Sequence, residues 1–215
     1  MKSRISGLYA VTPDIADTPA LLAKVEAALA GGARLLQYRN KTANAALRLI
    51  QGRALLALCW EYQVPLIIND HLDLALALDA HGLHLGSDDG SLAEARRTLG
   101  DGKILGASSY RRLHSALDAQ EAGVDYVAFG GFFPSTIKPS TVRAPLGLLG
   151  EAKQRLSVPV VAIGGITLDN APQLVAAGAD GVAVISALFG AADVKLAARG
   201  FSALFSQRES HAAHP

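Results

Sequence analysis

The chain repeats one pattern of hydrophobic and polar positions: a short, β-branched apolar run is followed by a longer stretch rich in Ala and Leu. Eight short runs have the composition of strands, at 7–12, 34–38, 65–68, 82–85, 103–106, 126–129, 159–163 and 181–185. Eight longer stretches have the composition of helices, at 18–30, 43–62, 72–80, 91–99, 111–122, 145–156, 168–177 and 193–206. Run length and residue type together predict alternating strands and helices.

Residues at the ends of the predicted helices are typical of caps. Thr18 and Thr42 are the predicted N-caps of the first two helices, because a threonine hydroxyl can accept from the free N–H groups of the first turn. Gly31, Gly123 and Gly178 follow predicted helix ends, where a left-handed C-cap favours glycine.

Strands that alternate with helices at this spacing require parallel crossovers. Eight such units in 215 residues predict the α/β class, as a single (β/α)8 TIM barrel with parallel strands. A doubly wound open sheet is the alternative, but no Gly-x-Gly-x-x-Gly fingerprint follows the first strand. No linker divides the chain, so we expect one barrel domain over residues 1–207 and a polar, disordered tail over 208–215.

Composition and charge narrow the class of protein. Lys and Arg number 20 against 19 Asp and Glu, for a formal charge of +1, which argues against a nucleic-acid partner or a membrane surface. We see no signal peptide and no apolar run of the roughly 20 residues that a membrane helix needs. The single cysteine, Cys59, lies in an apolar run; we expect it to be buried, and a cytoplasmic location is the natural one.

In a barrel of this type, the functional site is formed by residues that directly follow the strands. Those positions hold cations, carboxylates, amides, hydroxyls and glycines: Gln37, Arg39 and Lys41, then Asn69 and Asp70, then Asp88 and Asp89, then Ser108, the 130–139 connection, Gly164 and Gly165, and Ser186.

One group of these residues suits a diphosphate with a metal ion. Gln37, Arg39 and Lys41 alternate with the period of a strand, so all three can face one side, and Arg and Lys there suit an anionic oxygen cluster. The alternative is a solvated strand end. Asp70 and Asp89 end adjacent strands, and Mg²⁺ typically takes one or two carboxylates plus phosphate oxygens. Helix capping is the alternative use of each aspartate.

A second group suits a phosphate without a metal. The turn at 164–167 follows a buried strand and is expected to open a helix, so glycine N–H groups and the helix N-terminus would approach an anion. A plain tight turn is the alternative. Two candidate phosphate-binding sites at the same end of the barrel predict two phosphorylated small-molecule substrates.

At these residues the chain closely resembles the thiamine-phosphate synthase (thiamine-phosphate pyrophosphorylase) family. The resemblance runs from Gly7 to about Phe189. Its most specific motifs are Gln37-x-Arg39-x-Lys41, Ile68-Asn69-Asp70, Gly82-Leu-His-Leu-Gly86 with its acidic pair, Gly106-x-Ser108, and Phe133-Pro134 leading to Lys138. The segments 159–166 and 181–186 complete it, although many phosphate-binding barrels share them.

The resemblance implies an enzyme that joins hydroxymethylpyrimidine diphosphate to a thiazole phosphate, with Mg²⁺ as cofactor. It implies these roles: Gln37 and Ser108 for the pyrimidine; Arg39, Lys41, Asn69 and Lys138 for its diphosphate, with Arg39, Lys41 and Lys138 catalytic; Asp70 and Asp89 for Mg²⁺; and Gly165, Ile185 and Ser186, with Ser135 and Thr136, for the thiazole phosphate. Asp89 is preferred to Asp88 because the family's metal aspartate is the second of the pair.

The implied mechanism is dissociative: pyrophosphate leaves, and the thiazole nitrogen captures the pyrimidine cation. It needs charge neutralisation and alignment rather than a protein nucleophile, and we identify no convincing Ser–His or Cys–His pair. Two residues depart from the family pattern. Ser87 replaces Gln, and Ile137 replaces a hydroxyl residue, for which Ser135 or Thr136 is expected to substitute. Asn40 and His71 lie within the motifs without an assigned role.

Two other functions stay open. The related thiazole tautomerase shares the barrel and the glycine turn but is expected to lack the diphosphate and metal residues. A non-catalytic phosphate-ligand-binding barrel would have arisen by loss of part of a site, and only Ser87 and Ile137 support it. The sequence is compatible with either a monomer or a homodimer.

Overall fold

The computed structural model describes residues 5–134 and 143–212. Eight parallel strands pair in chain order and close into a barrel, with the last strand paired to the first. The predicted fold class is thereby confirmed. The strands are β1 (Gly7–Val11), β2 (Leu35–Tyr38), β3 (Leu66–Asn69), β4 (Gly82–Leu85), β5 (Ile104–Tyr110), β6 (Tyr126–Gly130), β7 (Val160–Ile163) and β8 (Gly181–Val184).

Helices follow the strands and form the outer layer. They are α1 (Thr18–Ala30), α2 (Ala45–Glu61), α3 (Leu72–Ala77), α4 (Leu92–Leu99), α5 (Leu113–Glu121), α6 (Gly147–Arg155), α7 (Ala171–Ala176), α8 (Ser186–Phe189) and α9 (Val194–Ala212). In the parts of the chain that the structure describes, none of them combines the length and apolar character that crossing a bilayer would require.

The first two helices begin differently from the prediction. The N-cap of α1 is Asp17, whose carboxylate accepts from the Ala20 N–H at 2.7 Å. The N-cap of α2 is Asn44, whose side chain accepts from a backbone N–H in the first turn. The predictions of Thr18 and Thr42 as caps were therefore wrong. Thr42 uses its hydroxyl to donate to the Asn40 side chain instead.

The other helix ends correct three further predictions. Gly31 is right-handed, with φ −86°, and Gly32 takes the left-handed position at φ +98°; Gly123 and Gly178 are left-handed as predicted. Helix α7 starts at Ala171 rather than 168, and the four-residue α8 was not predicted. Helix α9 runs from Val194 to Ala212, beyond the end at 206 that the sequence predicts.

Two apolar cores hold the barrel together, one inside the strands and one between strands and helices. On β2, Leu35 packs inside the barrel and Leu36 in the outer core. Both faces of a parallel strand are therefore buried, which explains the continuous apolar runs in the sequence. Cys59 lies in the outer core as expected, and burial raises the pKa of its thiol to about 12.

Candidate active site

A cavity of about 200 Å³ opens at the carboxyl ends of the strands. All eight strands or the residues that directly follow them contribute to its wall. The lining residues are Tyr9, Val11, Gln37, Arg39, Lys41, Asn69, Asp70, His84, Gly86, Asp89, Ser108, Tyr110, Ala128, Gly130, Gly131, Phe133, Ile163, Gly164, Ala183 and Ile185.

The end of β2 brings Gln37, Arg39 and Lys41 to one side of this cavity, as their alternation predicts. Two residues after β1 hold this segment. The Thr12 hydroxyl accepts from the Arg39 N–H and donates to the Arg39 carbonyl, both at 2.8 Å. The Asp14 carboxylate accepts from the Arg39 guanidinium at 3.2 Å and from the Lys41 N–H at 2.8 Å. The segment that carries both cations is therefore held in place by two residues that follow β1. No role was predicted from the sequence for either Thr12 or Asp14.

Asp70 and Asp89 face each other beside the cations at the end of β2. Asp70 has a left-handed backbone, φ +64°, and its carboxylate lies 3.4 Å from the Lys41 ammonium. Burial raises the pKa of the Asp70 carboxyl, contact with Asp89 raises it further, and Lys41 opposes both effects. Two carboxylates held together in this way favour a cation between them.

The two members of the acidic pair after β4 point in different directions. The Asp89 carboxylate turns into the cavity and accepts from the Gly86 N–H at 2.8 Å. The exposed Asp88 carboxylate accepts from the Ser87 hydroxyl at 3.1 Å. No group of three or more metal-binding side chains occurs in the described ranges. Two carboxylates still fit Mg²⁺, which keeps waters and takes substrate phosphate oxygens as its other ligands.

Beneath the mouth, five polar side chains form a continuous chain of hydrogen bonds. The Gln37 amide N–H donates to the Tyr9 hydroxyl at 2.8 Å, and the Tyr9 and Tyr126 hydroxyls lie 2.7 Å apart. His84 contacts the Tyr126 hydroxyl through Nδ1 and the Ser108 hydroxyl through Nε2, both at 2.9 Å. Gln37 and Ser108 were predicted site residues, whereas Tyr9, Tyr126 and His84 were not.

His84 and Ser108 form a Ser–His contact that was not identified from the sequence. Burial lowers the pKa of His84 to about 4, although Asp89 acts in the opposite direction. In the Ser–His–Asp arrangement of hydrolases, the second ring nitrogen donates to a buried carboxylate. In this pair the second nitrogen faces the hydroxyl of Tyr126. The pair therefore lacks the partner that makes such a histidine a base.

A sequence signal for the missed residues does exist. Tyr9 precedes the inward-facing Val11 by two positions, and His84 is a polar residue within an otherwise apolar strand. Alternation along a strand places such residues inside the barrel. The parallel register aligns His84 with Gly106 and Gly106 with Tyr126, which no local pattern shows.

The glycine turn after β7 lies against the segment that follows β6. Gly164 and Gly165 both have left-handed backbones, with φ +105° and +65°. The Gly164 carbonyl accepts from the Phe133 N–H at 3.1 Å, and a Cβ on Gly165 would stand 2.2 Å from the Pro134 carbonyl oxygen. The prediction that this turn opens a helix was wrong, because α7 begins only at Ala171, six residues after Gly165.

The structure brings part of the predicted thiazole phosphate site to the cavity. Ile185 lines it, while Gly165 and Ser186 each follow a lining residue without lining the cavity themselves. Ser186 begins the short helix α8. The predicted residues Ser135, Thr136 and Lys138, with the departure at Ile137, lie outside the described residues.

Comparison with known proteins agrees with this arrangement. Residues 8–188 match the family model described as thiamine monophosphate synthase. The chain belongs to this family. The match includes every strand of the barrel except the first residue of β1, and so it includes all the residues that line the cavity.

Individual relatives extend the similarity over nearly the whole chain. A thiamine-phosphate synthase of Nitrosomonas eutropha is 54% identical over 202 residues, which are 94% of this chain and 95% of the relative. One of Methylobacillus flagellatus is 55% identical, over 94% of this chain and 96% of the relative. The solved structure of thiamine phosphate pyrophosphorylase from Pyrococcus furiosus is 35% identical, with a TM-score of 0.83, over 94% of this chain and 96% of that one.

Proposed function

We propose that the protein is a thiamine-phosphate synthase, which couples hydroxymethylpyrimidine diphosphate to a thiazole phosphate and releases pyrophosphate. The observation that carries the proposal is the placement of two cations and two facing carboxylates on one side of a cavity. A glycine turn and the start of a short helix lie on the other side. Family membership supports the same reaction.

The first side suits the diphosphate of the pyrimidine substrate. Arg39, Lys41 and Asn69 line the cavity there, and we assign them to the diphosphate together with Lys138. Arg39 offers a planar fork of donors and Lys41 a point charge, which suit phosphate oxygens in different ways. Their neutralising charge would stabilise the diphosphate as it leaves.

Asp70 and Asp89 are the residues that would hold Mg²⁺. Burial and, next, contact with Asp89 raise the pKa of Asp70, and a divalent ion between the two carboxylates would favour their charged forms. When bound, Mg²⁺ supplies positive charge to the oxygens of the departing pyrophosphate.

The second side suits the thiazole phosphate. We assign Gly165, Ile185 and Ser186 to it, with hydroxyls from Ser135 and Thr136. Barrels of this type frequently bind phosphate at the loops after the seventh and eighth strands and at a short extra helix. The positive φ of Gly165 and the position of α8 support this assignment.

The proposed chemistry needs no protein nucleophile. The bond between the methylene carbon and the diphosphate oxygen breaks, and its electron pair leaves with pyrophosphate. The amino group of the pyrimidine donates electrons into the ring and delocalises the positive charge. The thiazole nitrogen then gives its lone pair to the methylene carbon and forms the new C–N bond. The cavity contributes by alignment and by fixed charge.

A thiazole tautomerase is disfavoured by the structure. The reaction of such an isomerase releases no diphosphate. It would not require two cations and two carboxylates in one cavity, as Arg39, Lys41, Asp70 and Asp89 are placed. A non-catalytic binding barrel could use the same residues, but the chain belongs to a family described as a synthase, which favours catalysis. We also propose that the protein works in the cytoplasm, which agrees with its single, buried cysteine.

The test is to incubate the protein with both substrates and Mg²⁺ and to quantify thiamine phosphate and pyrophosphate. We expect both products in equal amounts, and neither when one substrate or Mg²⁺ is omitted. Isomerisation of the thiazole without pyrophosphate release would identify a tautomerase instead. Tight binding of both substrates without any product would identify a binding protein.

A further inference from the structure

The five-membered chain of hydrogen bonds spans the inside of the barrel from one part of the cavity wall to another. Its members come from five strands: Gln37 from β2, Tyr9 from β1, Tyr126 from β6, His84 from β4 and Ser108 from β5. The three middle members are buried, with exposed fractions of 3% for Tyr9, 0% for Tyr126 and 6% for His84. We call this chain the buried relay.

The direction of each hydrogen bond in the relay follows from the first. Gln37 donates its amide N–H to the Tyr9 oxygen. Among the described residues, the Tyr9 hydrogen then has the Tyr126 oxygen as its acceptor, and the Tyr126 hydrogen has His84 Nδ1. Buried hydroxyl hydrogens are rarely left without an acceptor, so both tyrosines donate towards His84.

The tautomer of His84 follows in turn. A neutral imidazole has one protonated and one unprotonated nitrogen. Since Nδ1 accepts from Tyr126, the proton is on Nε2, which donates to the Ser108 oxygen at 2.9 Å. In this tautomer the imidazole has no lone pair facing Ser108. His84 therefore cannot accept the proton of Ser108 and activate it as a nucleophile.

The two ends of the relay consequently present opposite groups to the cavity. Ser108 accepts from His84, which leaves its own hydrogen to point at a ligand. Gln37 directs one of its two amide N–H groups to Tyr9, and its carbonyl oxygen remains available as an acceptor. Both residues line the cavity. One donor and one acceptor are the complement of an edge that carries an N–H beside an unprotonated ring nitrogen.

We propose that the buried relay fixes Ser108 as a donor and Gln37 as an acceptor, and thereby selects the amino–ring nitrogen edge of the pyrimidine substrate. This inference rests on the proposed function. Tyr9, Tyr126 and His84 act as positioning residues, since they reach the ligand only through the two ends. A 4-oxopyrimidine presents the reverse edge, a carbonyl oxygen beside a ring N–H, and is rejected.

The relay also supports the chemistry. A hydrogen bond from the pyrimidine amino group to the Gln37 oxygen increases electron donation from the amino nitrogen into the ring. That donation stabilises the cation that forms when pyrophosphate leaves. Loss of the relay should therefore lower kcat for the amino substrate as well as raise its KM, while the KM for the thiazole phosphate stays unchanged.

The decisive variant is Tyr126→Phe, which removes one hydroxyl from the middle of the relay and keeps the ring. Tyr38→Phe is the matched control, because the Tyr38 hydroxyl is also buried and donates to Gln51, outside the barrel interior, at 2.8 Å. The measurement is the ratio of kcat/KM for the aminopyrimidine diphosphate to that for its 4-oxo analogue. Sites that hydrogen-bond a polar group can reject the wrong analogue by about 10⁴-fold.

We expect Tyr126→Phe to lower this ratio on the order of 10-fold or more, the size of one lost hydrogen-bonding preference, and Tyr38→Phe to leave it unchanged. Equal ratios in wild type and Tyr126→Phe would overturn the proposal. So would equal losses in both variants, which would indicate a general effect of removing a buried hydroxyl. If Tyr126→Phe does not fold, Tyr9→Phe replaces it, because it removes the hydroxyl between Gln37 and Tyr126. The same change in the ratio is expected, and an unchanged ratio would overturn the proposal.

A second measurement needs neither substrate nor activity. In protein labelled with ¹⁵N-histidine, the His84 signals are assigned by their loss in His84→Gln. The relay requires a neutral ring with the proton on Nε2. Observation of the Nδ1-protonated tautomer would overturn the proposal even if the enzyme is active. Conversely, absence of coupling activity in the wild type would refute the proposed function while the tautomer still tests the relay.

Discussion

The ring of Tyr126 occupies the space into which a side chain at Gly106 would project. A Cβ on Gly106 would stand 2.1 Å from Tyr126 Cζ and 2.4 Å from its hydroxyl oxygen. Because Gly106 lies between His84 and Tyr126 in the strand register, its missing side chain lets the two rings stack with centroids 5.6 Å apart. The contact between β4 and β6 therefore depends on a glycine in β5.

Gly106→Ala should consequently disrupt this contact. We expect a loss of about 1–3 kcal/mol in the free energy of unfolding, the usual cost of overpacking a core, and a raised KM for the pyrimidine diphosphate. Gly102→Ala is the control, since a Cβ there meets no atom within 4 Å. Urea unfolding and steady-state kinetics provide the two readouts. Equal stability of the two variants would contradict the packing argument.

The metal assignment predicts unequal effects within the acidic pair. Asp70→Ala and Asp89→Ala should each lower kcat on the order of 10²-fold, as expected when stabilisation of the leaving pyrophosphate is lost. Asp88→Ala should be close to wild type, because the Asp88 carboxylate contacts Ser87 outside the cavity. Activity is measured across a range of Mg²⁺ concentrations. Full activity in excess EDTA, or equal damage at 88 and 89, would show that the assignment is wrong.

Asp14 is expected to act through Arg39 and Lys41, both of which it holds. Asp14→Ala should raise the KM for the pyrimidine diphosphate about 10-fold, the equivalent of one hydrogen bond to a charged group. Asp17→Ala removes the N-cap of α1 and should cost about 0.5–2 kcal/mol of stability without a change in KM. The two variants thus separate positioning from stability, and a KM unchanged by Asp14→Ala would exclude the positioning role.

Gly165 combines a left-handed backbone with close packing, so its substitution should have two effects. In Gly165→Ala, the Cβ would press on the Pro134 carbonyl, and the backbone conformation would cost roughly 1–2 kcal/mol. We expect a raised KM for the thiazole phosphate together with a lower Tm. Gly147→Ala, where a Cβ meets no atom within 4 Å, should show neither. A rise confined to the KM for the pyrimidine diphosphate would place the thiazole phosphate elsewhere.

Cys59 should be chemically inert in the folded protein. Burial raises the pKa of its thiol to about 12, so the reactive thiolate is scarce at about pH 8. Iodoacetamide should leave the native protein unmodified and alkylate one residue after denaturation. Mass spectrometry distinguishes these states, and rapid alkylation of the native protein would contradict the burial.

The fold was predictable from the sequence because its pattern is strong and local. Each strand is buried on both faces, so it appears as an apolar run, and Ala/Leu-rich helices separate the runs. Helix ends were less predictable. Threonine, aspartate and asparagine all lie near the start of the first two helices, and each residue type can serve as an N-cap. In the structure the caps are Asp17 and Asn44, whose side chains accept from a free N–H of the first turn.

The site was predictable where a polar residue follows a strand, as with Arg39, Asp70 and Asp89. It was not predictable where residues meet through the register of different strands. Tyr9 and Tyr126 are 117 positions apart in the chain, and no local pattern aligns them. The barrel brings them together only because inward-facing residues of all eight strands share one narrow interior.

The most direct test of the proposed site is a crystal structure with Mn²⁺, pyrophosphate and thiamine phosphate. We predict anomalous density for Mn²⁺ between Asp70 and Asp89, and pyrophosphate against Arg39 and Lys41. The phosphate of the product should lie at the 164–165 turn and the start of α8. A metal bound elsewhere, or both anions on the same side of the cavity, would contradict the two-substrate site.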